Sequence, residues 1–92
     1  MFAMTNHAQA RLRQRGIPHT VVESMLDFGH EAHDHHGSRI AYFDQRACQQ
    51  LRRQVGLESY KRIELHLNAY AVVADTGEII TVRHRTRRIT RH

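Results

Sequence analysis

Histidine and arginine are the residues of this chain whose types and spacing could support chemistry. His7, Arg11 and Arg15 recur at every fourth position of a segment with helical periodicity. Each step of four residues turns a helix by about 40°, so these side chains form one slowly drifting stripe. The stripe lies roughly a quarter-turn from the apolar seam of Ala8 and Leu12, at the rim of the packed face. This pattern is typical of a phosphate cradle or of an ordinary charged helix surface, and the spacing alone favours the ordinary surface.

His84 stands near the end of the last strand predicted from the sequence. It follows Ile80 and Val82 in period-two register, which predicts a place at the end of the inner face of the sheet. An imidazole there could take or give a proton near neutral pH. A half-buried structural histidine is the more frequent cause of the same pattern. Arg83 and Arg85 are predicted to point to the other face.

A second group of histidines is clustered in sequence at His30, His33, His35 and His36. In a strand His33 and His35 share one face, and two imidazoles so placed can grip a metal ion. No cysteine lies nearby and no second motif completes a tetrahedral site. We therefore expect an exposed polar hairpin, which also discourages edge-to-edge pairing, and no metal.

Other enzyme signatures are missing from the sequence. There is no phosphate-binding glycine loop, no dinucleotide fingerprint and no constellation of carboxylates. Cys48 falls on the inner side of a predicted helix and is interpreted as a core residue rather than a nucleophile. Tyr42 and Tyr70 could stack on nucleic-acid bases, although strand tyrosines more often pack. Histidine and arginine remain the candidate functional groups, and no cofactor is expected.

Length and composition restrict the class of protein. The 92 residues, 40% of them hydrophobic, predict one globular domain over residues 1–92 with a modest core. No apolar run approaches the roughly 18 residues of a membrane helix, and residues 1–13 lack the apolar stretch of a signal peptide. The single cysteine excludes the internal disulfides that small secreted domains usually need. We expect a cytoplasmic protein without membrane contact.

The charge points to an anionic partner. Fourteen Lys and Arg face nine Asp and Glu, giving +5 with neutral histidines, and Lys61 is the one lysine. The guanidinium group can bind two phosphate oxygens at once. A GC-rich genome, which encodes arginine in place of lysine, is an alternative cause of the high arginine content. Cations concentrate in the acid-free segment 79–92 and in a second cluster at Arg11, Arg13 and Arg15. This asymmetry predicts a basic face, and RNA is the partner we expect first.

Apolar periodicity, glycine and proline divide the chain into paired helices and paired strands. In chain order the predicted elements are helices at 6–15 and 18–28, strands at 31–35 and 38–43, helices at 44–55 and within 57–67, and strands at 69–74 and 78–85. Thr5 or Asn6 caps the first helix, and tight turns are predicted at residues 36–37 and 75–77. Residues 57–67 also alternate like a strand, but a strand from 61 to 74 would exceed the usual length of roughly 3–10 residues. The order α-α-β-β-α-α-β-β predicts an α+β fold with helices packed on a four-stranded antiparallel sheet.

Two segments carry a family resemblance. The first reads Thr5-x-His7-Ala8-x-x-Arg11-x-x-x-Arg15-Gly16-Ile17, and the second combines Tyr70-Ala-Val-Val, a turn of the D-G type and Ile79-Ile-Thr81-Val-x-His84-Arg85. Over nearly the whole chain they resemble a bacterial family known as domain of unknown function 4258, which is grouped with RelE-like toxins and related small RNases. The resemblance implies two helices before a four-stranded antiparallel sheet with an RNA-binding or RNA-cutting face. The helices predicted at 44–67 look like an insertion relative to the simplest of these toxins.

The resemblance also implies a function and a set of residues for it. The function is that of a toxin-type, metal-independent endoribonuclease, which would travel with an antitoxin-like protein partner. Its candidates are two histidines as acid and base, three arginines on the scissile phosphate and one hydroxyl: His7 and His84; Arg11, Arg15 and Arg85; and Thr86. One alternative is a non-catalytic RNA- or DNA-binding module that uses the same basic face. Another is a metal-binding protein that uses the histidine hairpin.

Overall fold

A computed structural model describes residues 3–33 and 37–84, which form three helices and four strands. The elements are α1 (Asn6–Arg15), α2 (His19–Phe28), β1 (His30–His33), β2 (Arg39–Tyr42), α3 (Gln45–Glu64), β3 (Ala69–Val73) and β4 (Ile79–His84). The strands form one antiparallel sheet in the order β1-β2-β3-β4. The predicted α+β class with a four-stranded antiparallel sheet is therefore confirmed. None of the described helices has both the length and the apolar character needed to span a membrane.

The apolar core lies between the helices and one face of the sheet. Ala41, Ala71 and Val82 are paired across β2, β3 and β4, and all three are fully buried. They form one continuous cluster with helix residues such as Leu12 and Met25. Side chains alternate between the faces of a strand, so the residues between these positions point to the opposite face. That opposite face contributes nothing to the core cluster.

The number of helices differs from the prediction at Gly56. Two helices were predicted on either side of this residue, but α3 runs across it as one element of 20 residues. Gly56 has φ 81° and ψ 168°, a conformation that is essentially restricted to glycine. The chain bends there, and the Tyr60 ring returns to within 5.9 Å of the Arg52 guanidinium carbon. The prediction of four helices was wrong because a single glycine makes the bend, with no loop between the two segments.

The β1–β2 hairpin has a different register from the predicted one. A two-residue turn at 36–37 would set residue 34 opposite residue 39, whereas His33 lies opposite Arg39. Five residues therefore connect the paired ends, and Gly37 within them has φ 84°. Longer hairpin loops commonly need one residue at positive φ, which explains why the glycine did not mark a two-residue turn. The predicted position of His36 lies outside the described residues.

A bulge in β4 reverses the predicted orientation of two isoleucines. Val72 pairs with Thr81 and Val73 pairs with Ile79, so Ile80 is an extra residue on β4. Ile79 is fully buried and Ile80 is 38% exposed. The prediction that Ile80 shares the inner face with Val82 was wrong, because the bulge resets the alternation before Thr81. The register from Thr81 onward, including that of His84, is unaffected.

Candidate functional site

His84 ends β4 on the helix-covered face of the sheet. It lies opposite Ala69, the fully buried first residue of β3, and two residues after the buried Val82. His84 itself is half-buried, because the strand ends where the core meets solvent. This is the position that its register predicted.

His66 is the nearest titratable partner of His84, and it lies in the turn between α3 and β3. The turn is fixed by its own backbone, since His66 N–H donates to the Ile63 carbonyl at 2.8 Å and Ala69 N–H donates to the His66 carbonyl at 2.9 Å. Because Ala69 pairs with His84, this turn lies beside the end of β4. Nδ1 of His66 is 3.2 Å from Nε2 of His84. We refer to these two residues as the histidine pair.

The rings of the histidine pair are oriented for one hydrogen bond. Their planes differ by 15° and their centroids are 5.4 Å apart. This centroid separation is the 3.2 Å between the nitrogens plus roughly one radius for each ring. The two nitrogens therefore lie close to the line that joins the ring centres, with the rings edge to edge and not face to face. A single N–H between them is well placed for donation from one ring to the other.

This hydrogen bond determines what the outer nitrogens can do. A neutral imidazole carries one N–H and one acceptor nitrogen. When both rings are neutral and one proton occupies the shared hydrogen bond, one outer nitrogen is an acceptor and the other is a donor. The outer nitrogens are Nε2 of His66 and Nδ1 of His84. The histidine pair thus presents a base at one end and an acid at the other.

The surroundings keep His84 neutral. Its pKa lies below its ordinary value of 6.5, chiefly because burial disfavours the charged ring, and further because of His66 and the positive charge of Arg15. A depressed pKa means that His84 is unprotonated at neutral pH. The His84 ring is therefore able to accept a proton under those conditions.

Arg15 reaches this site because α1 runs alongside β4. At its start, Thr5 N–H donates to the Ile79 carbonyl and Thr5 Oγ1 donates to the Ile80 carbonyl, both at 3.0 Å. Thr5 Oγ1 also accepts from Ala8 N–H at 3.0 Å and so caps the helix. Arg15 is exposed, and it follows the fully buried Ala8 by about two helical turns, which places it on the side of the helix that faces β4. The helix thus starts at one end of β4, and its last residue, Arg15, lies near the other end, where His84 is.

His7 and Arg11 occupy different places along the same helix. His7 is exposed in the first turn, just after the residue bonded to the start of β4. It precedes Arg15 by eight residues, which corresponds to about 12 Å along the helix. Arg11 lies between them and is half-buried. The structure therefore brings Arg15 to His84 and keeps His7 at the opposite end of α1.

The two described histidines of the hairpin, His30 and His33, have different surroundings. His33 is exposed, while His30 Nδ1 is 3.7 Å from Asp44 Oδ2. Across the same two strands, β1 and β2, Arg39 Nε is 3.2 Å from Glu31 Oε1. Within residues 3–33 and 37–84, no group of three His, Cys, Asp or Glu side chains could hold a metal ion. His35 and His36, which the metal hypothesis also used, lie outside those ranges.

Sequence reasoning missed His66 and assigned two residues that the structure does not describe. Arg85 and Thr86 follow β4 directly and lie outside the described ranges. His66 fell inside the segment interpreted as helix, where it has no distinctive spacing. The available signal was its position three residues before β3, since the start of one strand in an antiparallel hairpin meets the end of the next.

No model of a known protein family matches the chain, and comparison with curated proteins and with solved structures likewise finds no match.

Proposed function

We propose that this protein binds RNA and cleaves its backbone without a metal ion, using the histidine pair as the base. The observation that carries the proposal is the hydrogen-bonded contact of 3.2 Å between His66 and His84, with Arg15 close enough to lower the pKa of His84. RNA supplies its own nucleophile, the 2′-hydroxyl, so the protein has to supply a base for its proton and a cation for the phosphate. In this proposal His66 replaces His7 as the histidine that acts together with His84.

The cleavage step forms one bond to phosphorus and breaks another. The acceptor nitrogen at one end of the pair removes the 2′-hydroxyl proton, and the 2′-oxygen attacks phosphorus to give a 2′,3′-cyclic phosphate. The bond from phosphorus to the 5′-oxygen breaks, and that oxygen takes a proton from water, because the donor nitrogen at the other end of the pair points away from this phosphate. The hydroxide that remains takes up the proton that the pair had accepted, so the pair returns to its starting state.

Positive charge supports the binding part of the proposal. Arg15 is exposed beside His84, and Arg83 is exposed one residue before it. A guanidinium near the scissile phosphate stabilises the charge that develops on its oxygens. The sequence places Arg85, Arg87 and Arg88 immediately after this site. An antitoxin-like protein partner, which the family resemblance implies, belongs to the same proposal.

The experiment is a cleavage assay on end-labelled single-stranded RNA with pure protein and excess chelator. We expect fragments that end in a 2′,3′-cyclic phosphate. A matched RNA with a 2′-deoxy nucleotide at a mapped cleavage site should resist cutting there, because the nucleophile is gone. Cleavage that requires added Mg²⁺, or that leaves the 2′-deoxy site fully susceptible, would contradict the mechanism.

A non-catalytic RNA-binding module is the second candidate, favoured by the basic composition of the chain, with its net charge of +5. Its affinity for RNA should fall steeply as salt rises, because neutralised phosphates release counterions. If the protein cuts no RNA even with ribosomes present but binds it in this salt-dependent way, the binding module replaces the nuclease. If binding is absent at low salt, or does not respond to salt, both candidates fail.

A further inference from the structure

The face of the sheet opposite the helices carries a row of aromatic and basic residues. The strand pairings run from His30 to Tyr42, from Tyr42 to Tyr70 and from Tyr70 to Arg83. These four side chains therefore lie side by side across all four strands. His84 is the next residue after Arg83, so the row ends at the edge of the sheet beside the histidine pair.

A second row runs beside the first on the same face. It consists of small and apolar side chains, paired in the order Ala32, Ile40, Val72 and Thr81. We call the two rows together the open face. None of its eight residues is acidic and none belongs to the apolar core cluster. Within the described part of the chain, the helices pack on the opposite side.

Tyr70 is the residue of the open face best placed to receive a planar ligand. Tyr42 is only 6% exposed, and the His30 ring meets it edge-on, with the planes at 67° and the centroids 5.3 Å apart. Tyr42 therefore supports the surface. Tyr70 is half-buried in the neighbouring strand, between Tyr42 and the exposed Arg83. An aromatic ring beside a guanidinium suits a nucleobase on the ring and a phosphate on the cation.

We propose that the open face binds the bases of single-stranded RNA, with one base stacked on Tyr70 and the neighbouring phosphate on Arg83. This inference rests on the proposed function and adds to it a substrate class, because bases paired inside a duplex cannot turn onto a tyrosine. Charge favours RNA over a protein strand as the occupant. Arg83 is the cation of the face, none of the eight residues is acidic, and the sequence continues from Arg83 into an acid-free run of arginines. A strand lying along the row would reach β4 at the sheet edge, and His84 lies at the end of that strand on the opposite face.

The test measures binding separately from cleavage, by using a 2′-O-methyl oligouridine that cannot be cut. Three ligands of equal length are compared: this single strand, a duplex, and a strand with abasic sugars that keeps the phosphates and lacks the bases. We expect the single strand to bind most tightly. Tyr70→Leu, which keeps apolar bulk, should weaken single-strand binding by about tenfold and leave abasic binding unchanged. Tyr70→Phe should bind like the wild type, because it retains the ring.

Tyr60→Leu is the matched control, since Tyr60 is also half-buried but lies on α3. It should leave RNA affinity unchanged. The protein has no tryptophan and three tyrosines, so quenching of tyrosine fluorescence reports stacking directly and should be lost in Tyr70→Leu. Equal affinity for abasic and normal strands, or normal binding by Tyr70→Leu, would overturn the open-face proposal and leave the cleavage mechanism standing. Self-association that Tyr70→Leu abolishes would identify the face as a protein interface and would also overturn it.

Discussion

The β1–β2 hairpin and the paired ends of β3 and β4 both carry histidines, and the two regions differ in how close those histidines come. The hairpin histidines are neighbours in sequence, yet among the described ones His33 is exposed and His30 contacts Asp44 and Tyr42. His66 and His84 are 18 positions apart, yet their ring nitrogens are 3.2 Å apart. Burial and a nearby cation act on His84. Packing of elements that are distant along the chain, and not the number of histidines in one segment, brings the histidine pair together.

The largest expected difference between the two regions is in RNA cleavage. His84→Ala and His66→Ala should each lower the cleavage rate by about 10²–10⁴, the usual cost of losing a positioned acid or base. His33→Ala should cleave like the wild type, because its imidazole is exposed in the hairpin. His7→Ala, at the far end of α1, should also retain activity. Single-turnover rates on labelled RNA measure all four. A large loss in His7→Ala with normal activity in His66→Ala would restore the assignment suggested by the sequence.

The bend at Gly56 should matter to stability because the part of α3 that follows it leads into the turn that holds His66. Gly56→Ala would force a residue with a side chain to φ 81° and ψ 168°, at a position with open space for the added carbon. The cost is therefore backbone strain, about 1–3 kcal/mol. For a domain of this size each kcal/mol lowers Tm by roughly 4–8 °C. Gln54→Ala, on the exposed surface of the same helix, serves as the control and should change Tm very little.

Stability should depend on pH through His84 of the histidine pair. The pKa of His84 is depressed in the folded state, so the unfolded chain binds a proton more readily at this position. The contribution of His84 is then fully present above about pH 6.5 and is lost as the pH falls through its folded pKa. Urea unfolding at a series of pH values should show this decline in wild type and in His33→Gln. His84→Gln should flatten it, and an unchanged slope in that variant would place the origin elsewhere.

The smallest expected effect is that of zinc on the hairpin. A site at His33 and His35 would add about 2.7 kcal/mol to stability at a ligand concentration 100-fold above Kd. We expect no rise in Tm on adding Zn²⁺, and no difference between wild type and the His33→Ala, His35→Ala double variant. A rise in the wild type that the double variant abolishes would show that the hairpin histidines do converge on a metal.

Local signals predicted the parts of the fold that depend on neighbouring residues. The limits of α1 follow from the Thr5 cap and from Gly16, which has φ 64° after the last helical turn. The bulge at Ile80 was not predictable from alternation, because it depends on register against β3 and on the bridge between Met4 and Ile79.

The candidate site was predicted only in part, because local signals identify residues within regular elements and not those whose place depends on packing. His84 and Arg15 were identified because each belongs to a regular element with a readable period. His66 was not identified, since its place depends on where α3 ends and on how β3 pairs with β4. Arg11 and His7 shared the spacing of Arg15, and only the packing of α1 along β4 separates the three.

The most direct test of the histidine pair is an NMR titration that follows the ring nitrogens of each histidine in a single sample. We predict that His84 titrates below its ordinary value of 6.5, since burial, His66 and Arg15 all disfavour its protonation. Arg15→Ala and His66→Ala should each raise the pKa of His84 toward that value. If His84 titrates at or above 6.5 and responds to neither substitution, the two histidines are not coupled as a pair.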